Sequence, residues 1–86
     1  MYRIAFTATA ARGLSSLPRG AQLRIGSKLQ ALREEPRGTG TTKLAGEEGL
    51  YRVRVGDYRV LYEIRDRVLL ILVVLVGHRR DIYRRR

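Results

Sequence analysis

Cysteine is absent from this 86-residue chain, histidine occurs once and proline twice. Without cysteine there is no disulfide framework and no thiolate metal site, and a reducing cytoplasm suits the chain. A single histidine excludes a multi-histidine metal centre. Acidic residues number only eight, and the first of them is Glu34. An acid-poor, arginine-containing N-terminus can imitate a transit peptide, but Tyr2 to Phe6 alternates as a strand and no secretory hydrophobic region follows. Long hydrophobic runs are also missing. The longest, Val68 to Val76, has half the ~18 residues that a membrane span needs, and it reads as a buried central strand. The expectation is a cytoplasmic protein with no membrane partner, no metal and no cofactor.

Apolar residues make up 44% of the chain, enough for one small globular domain over residues 1–86 and too many for a disordered segment. Eighteen basic residues against eight acidic ones give a net charge of +10. All the basic residues except Lys28 and Lys43 are arginine, whose planar fork of donors matches phosphate and carboxylate. A short chain of this charge is suited to nucleic acid or to an acidic protein partner. The plain alternative is a general solubilising charge.

The order of elements follows from periodicity. Tyr2 to Phe6 forms a first strand. Thr7 or Thr9 caps a helix with Ala8, Ala11, Leu14 and Leu17 on one stripe. Pro18 fits the first turn of a second helix, in which Ala21, Ile25, Leu29 and Leu32 recur every three or four residues, and Pro36 ends it. Gly38 to Gly49 reads as a loop carrying Lys43 and Leu44. Three strands follow, with a turn at Arg65-Asp66-Arg67 and a break at Gly77. The fold class is α+β, in the order β-α-α-β-β-β, with two helices on one face of a mostly antiparallel sheet.

The most informative stretch is Tyr51 to Tyr62, YRVRVGDYRVLY. With Gly56-Asp57 as a two-residue loop, Val55 pairs with Tyr58, Arg54 with Arg59 and Arg52 with Leu61. Tyr51, Val53, Val55, Tyr58, Val60, Tyr62 and Ile64 then face the core, while Arg52, Arg54, Arg59, Leu61 and Glu63 face the other way. Like charges directly opposite each other destabilise a ladder, so an anion between Arg54 and Arg59 would justify the pairing. Periodicity alone leaves a solvated face as the other reading. Arg79 follows the central strand, with His78 before it and Tyr83 after it. Several guanidinium groups and a phenol make a site suited to the extra negative charge of a phosphorane transition state.

These segments carry a family resemblance. The first strand, Leu14-Ser15-Ser16-Leu17-Pro18, Arg33-Glu34-Glu35-Pro36, Lys43-Leu44-Ala45-Gly46, the arginine hairpin and Val76-Gly77-His78-Arg79-Arg80-Asp81-Ile82-Tyr83 resemble the RelE/ParE superfamily of type II toxin–antitoxin toxins, and within it the RelE-type mRNA interferases. The resemblance implies a compact RelE-like fold, metal-independent cleavage of mRNA in the ribosomal A site, and inhibition by a cognate acidic antitoxin, the free toxin being a monomer. It implies phosphate contacts by Arg59 and Arg79 and a substrate-orienting or proton-transferring role for Tyr83. Arg52 and Arg54 stand where the best-known members carry lysine. Arginine is effectively always protonated, so these two suit phosphate binding rather than base catalysis. Arg54, Arg59 and Arg79 are then the clamp, His78 or Tyr83 handles protons, and Arg52, Lys43 and Arg80 add RNA contacts. The rival within the superfamily is the ParE-type branch, which binds and inhibits DNA gyrase without nuclease chemistry; a weakly active RNA-binding relative is the third reading.

Overall fold

The computed structural model describes residues 1–46 and 49–81. The elements are β1 (Arg3–Phe6), α1 (Ala8–Ser15), α2 (Arg19–Glu34), β2 (Thr41–Lys43), β3 (Leu50–Val55), β4 (Tyr58–Arg65), a 3-10 turn (Asp66–Val68) and β5 (Leu70–His78). They form one five-stranded sheet in the order β1-β5-β4-β3-β2. Every pairing is antiparallel except that of β1 with β5. The apolar run thus lies between two neighbours, as its composition predicts. The sheet has one strand more than the sequence suggested: the Gly/Thr-rich stretch after α2 contributes β2 at the edge of β3.

The helices cover one face. Thr7 caps α1, its hydroxyl accepting from the Ala10 N–H at 3.1 Å. The buried positions of α1 are Ala10 and Gly13, with Leu14 and Leu17 partly buried. Ala8 and Ala11 are exposed, contrary to the predicted stripe. The reason is close approach: α1 lies so near β5 that a Cβ at Gly13 would collide with the Val76 carbonyl. In α2 the predicted positions Ala21, Ile25, Leu29 and Leu32 are the buried ones. Burying each of the larger three is worth about 1.5–3 kcal/mol. They pack against Tyr51, Val53, Val60, Tyr62, Ile64, Ile71, Val73 and Val76 of the sheet.

A polar clasp fixes the end of α2. The helix stops at Glu34, and the fully buried Tyr62 donates its hydroxyl to the Pro36 carbonyl at 2.7 Å. Burial pushes the Tyr62 phenol up to about 12. Tyr51 stacks on Tyr62 at 5.9 Å between ring centroids, and Arg37 lies over the Tyr51 ring. Arg37 also pairs with Asp66 through two hydrogen bonds of 2.8 and 3.2 Å, and Tyr2 donates to the same carboxylate at 2.6 Å. Tyr2 just before β1, the segment after α2, β3 and the β4–β5 turn are tied together there.

The opposite face is less open than its charge pattern suggests. Leu50, Leu61 and Leu75 form a second buried cluster there, joined by Leu44 and Val74. The β4–β5 register is irregular next to this cluster. Leu61 pairs with Leu75 but Tyr62 with Val73, so Val74 is the extra residue of a β-bulge. Among the described residues, no helix is long and apolar enough to cross a membrane.

Candidate phosphate-binding site

The register of β3 and β4 matches the sequence prediction: Val55 opposite Tyr58, Arg54 opposite Arg59, Arg52 opposite Leu61. Gly56 supplies the positive φ, +61°, at the first loop position, the geometry of a type II′ hairpin. The pair flanking such a loop exchanges backbone hydrogen bonds, which makes Arg54 and Arg59 the next, non-hydrogen-bonded pair, with Cα atoms about 4.5 Å apart. Pairs of this kind bring side chains closest together, so two cations share a face one step from the hairpin tip.

On β5 the residue opposite Arg59 is Gly77. The row across the sheet therefore reads Arg54, Arg59, Gly77, and no side chain stands beyond Arg59. The next row reads Thr42, Arg52, Leu61, Leu75. Arg54 is exposed, whereas Arg52 and Arg59 are partly buried. Arg59 donates from Nη1 to the Tyr58 carbonyl at 3.2 Å, which holds its head along its own strand.

Arg79 joins this group through the backbone. Its N–H donates to the Asp57 carbonyl at 2.8 Å, and its Nε lies 3.9 Å from Asp57 Oδ1. The chain leaving β5 is thus stapled to the turn of the hairpin whose strands carry Arg54 and Arg59. Nothing in the sequence marked Asp57 as a partner; its only signal was its place in the loop next to Arg59.

Two predicted residues lie elsewhere. His78 pairs with Tyr58, on the helix-facing side, and its ring meets the Tyr58 ring edge-on at 5.7 Å. Its Nδ1 accepts the Arg80 N–H at 3.1 Å, so the neutral ring carries its proton on Nε2 and has no free lone pair there to act as a base. Strand alternation puts it one residue out of phase with Gly77, which lies in the Arg54–Arg59 row. Lys43 is exposed on edge strand β2 opposite Tyr51, again on the helix-facing side, while Thr42 is the β2 residue in the arginine-face row. Arg80 is exposed in the turn after β5. Tyr83 lies outside the described residues.

Arg54 and Arg79 are exposed, and Arg52 and Arg59 are partly buried. The grooves of about 400 Å³ beside Lys28, Leu32 and Glu35 and of about 200 Å³ beside Phe6, Leu14 and Gln22 lie away from them. Such a surface suits a polymer laid across it rather than an enclosed small molecule.

Comparison with known proteins gives a consistent picture. The family model described as "ParE toxin of type II toxin-antitoxin system, parDE" matches residues 4–83. The toxin RelG of Mycobacterium tuberculosis is 36% identical over 85 residues, which cover 98% of each chain. The E. coli RelBE toxin–antitoxin complex contains a chain that matches with a TM-score of 0.82 and 25% identity, over 91% of this chain and 96% of that one. The RelE–RelB complex of Pyrococcus horikoshii matches at 0.79 and 30%, over 91% and 94%.

Proposed function

The chain belongs to the RelE/ParE superfamily of type II toxin–antitoxin toxins, and we propose that it acts as a ribosome-dependent endoribonuclease that cleaves mRNA in the A site. The observation that carries this reading is the facing pair Arg54–Arg59, with Arg79 stapled to the same hairpin. In the reaction the 2′-oxygen attacks the adjacent phosphorus, the bond from phosphorus to the 5′-oxygen breaks, and a 2′,3′-cyclic phosphate is left. One proton leaves the 2′-hydroxyl and another reaches the departing 5′-oxygen. Arg54, Arg59 and Arg79 supply fixed positive charge where the phosphorane gathers negative charge. Arg52 extends phosphate binding along the face.

Permanently protonated guanidinium groups cannot accept the 2′-hydroxyl proton. The hydrogen bond at His78 Nδ1 and its place on the other face favour Tyr83 for that role, with His78 holding the turn that presents Arg79 and Arg80. With no lysine to take up the 2′-hydroxyl proton, the enzyme should be slow. The partner that restrains it is a cognate acidic antitoxin. Relatives of the same fold are found in complex with RelB antitoxins, and the +10 charge here suits an acidic segment.

The test is purified ribosomes programmed with a defined mRNA. The wild-type chain should cut in the A site, and Arg59→Ala and Arg79→Ala should each lower the rate by about 10²–10³-fold. Undiminished cleavage by both variants would overturn the clamp. Because the matching family model is that of ParE, the companion assay is DNA supercoiling: inhibition of gyrase with no ribosomal cleavage would select the ParE-type activity instead.

A further inference from the structure

Asp57 is a carboxylate placed among the guanidinium groups, and the turn does not require it. The positive φ of the loop falls on Gly56, and among the described residues Leu69 is the only non-glycine with φ above zero. The second position of the II′ loop therefore makes no demand that asparagine or serine could not meet. Other paired carboxylates are engaged elsewhere, Asp66 with Arg37 and Glu63 with Arg65.

Asp57 makes two contacts of different kinds with Arg79. Its carbonyl accepts the Arg79 N–H at 2.8 Å, a bond that any residue at position 57 would keep. Its carboxylate lies 3.9 Å from Arg79 Nε, with the two side chains 70% and 53% exposed. A long pair in that much water is weak and easily exchanged. A phosphodiester offers the same guanidinium a stronger, two-point acceptor.

We infer that Asp57 is an internal competitor of the RNA phosphate. Its carboxylate holds the Arg79 guanidinium at the hairpin when no RNA is bound, and is displaced when Arg79 turns to phosphate. The inference rests on the reading of the arginine face as an RNA site. Asp57 is a positioning residue: it weakens RNA binding through Arg79 and aims Arg79 at the hairpin beforehand.

The experiment uses the full chain and a short, fluorescently labelled 2′-O-methyl RNA, which cannot be cleaved, with binding followed by anisotropy at fixed salt. Asp57→Asn and Asp57→Ser both suit the turn and give two independent variants. Each should bind about two- to five-fold more tightly than wild type, the range of an exposed ion pair. In an Arg79→Ala background the same substitutions should change nothing. Equal or weaker binding by both variants overturns the proposal, as does equal tightening with and without Arg79, which would mark a general charge effect. Failure of the underlying RNA reading shows differently: Arg59→Ala would then bind the RNA as tightly as wild type, and the competitor role would fall with it.

Discussion

Replacing Gly13 with alanine probes how closely α1 lies on β5. The added Cβ would fall inside the contact distance of the Val76 carbonyl oxygen and 3.3 Å from its carbonyl carbon. The obstacle is strand backbone in the middle of the sheet, which cannot rotate away as a side chain can. Overpacking costs ~1–3 kcal/mol, and a backbone obstacle places this case at the upper end. Alanine recovers about 1 kcal/mol of helix propensity over glycine. The net expectation is a loss of about 2 kcal/mol. Gly26 in α2 is the internal control, because nothing lies within 4 Å of a Cβ there. Gly26→Ala should gain about 0.4–1 kcal/mol. Urea unfolding followed by circular dichroism reads both. With a slope of ~1–3 kcal/mol per molar, Gly13→Ala should lower the midpoint by about 1 M while Gly26→Ala raises it. Val76 directly precedes Gly77, His78 and Arg79, so Gly13→Ala should also weaken RNA binding under conditions where the variant is still folded. Two glycine variants of equal stability would refute the close packing, and with it the account of why Ala10 and Gly13, not Ala8 and Ala11, face the sheet.

Other outcomes follow from the clasp and the arginine face. Tyr62→Phe removes the donor to the Pro36 carbonyl and should cost about 1–3 kcal/mol in chemical denaturation. Burial raises the wild-type phenol to about 12, so stability should fall as pH rises from about 10 to about 12, and the fall should be shallower in the phenylalanine variant. Hydrogen bonds from Arg37 and then Tyr2 hold the Asp66 carboxyl down to about 2. A depressed carboxylate stabilises above its unfolded value near 4, and the contribution disappears as pH drops from about 4 to about 2. Asp66→Asn should therefore flatten the acid limb of thermal unfolding in that window, and an unchanged slope would exclude the clasp as its source. Three arginine–phosphate contacts predict a slope of about −2 in log affinity against log salt for single-stranded RNA, reduced by about 0.7 in Arg59→Ala.

The hairpin was readable to the residue because a two-residue loop and strict alternation fix a register together, and Arg54 opposite Arg59 followed from the sequence alone. The inner face of α2 was readable because Ala21, Ile25, Leu29 and Leu32 recur every three or four residues. What escaped depended on distant partners. β2 is three residues long and becomes a strand only because β3 offers an edge. The stripe of α1 turned on Gly13, whose lack of a side chain is informative only when β5 is known to lie against it. The bulge at Val74 and the parallel pairing of β1 leave no periodic trace either. In the site, Arg79 was placed near the hairpin by its position after the central strand, but His78 was grouped with it. At a strand end, neighbours in sequence point to opposite faces, and only the register with Tyr58 shows which is which.

The pairing of β1 with β5 has a consequence for the order in which this protein can come into being. Residues 3–6 find their sheet partners at residues 70–73, and α1 packs on the same late strand. Chains usually fold from the N-terminus as they are synthesised, but here β1 and α1 lack their β5 partner until residues 70–73 have been made. Closing so long a loop is also slow. A polypeptide stopped anywhere before Leu70 lacks the strand that joins β1 to β4, and it lacks Arg79 as well.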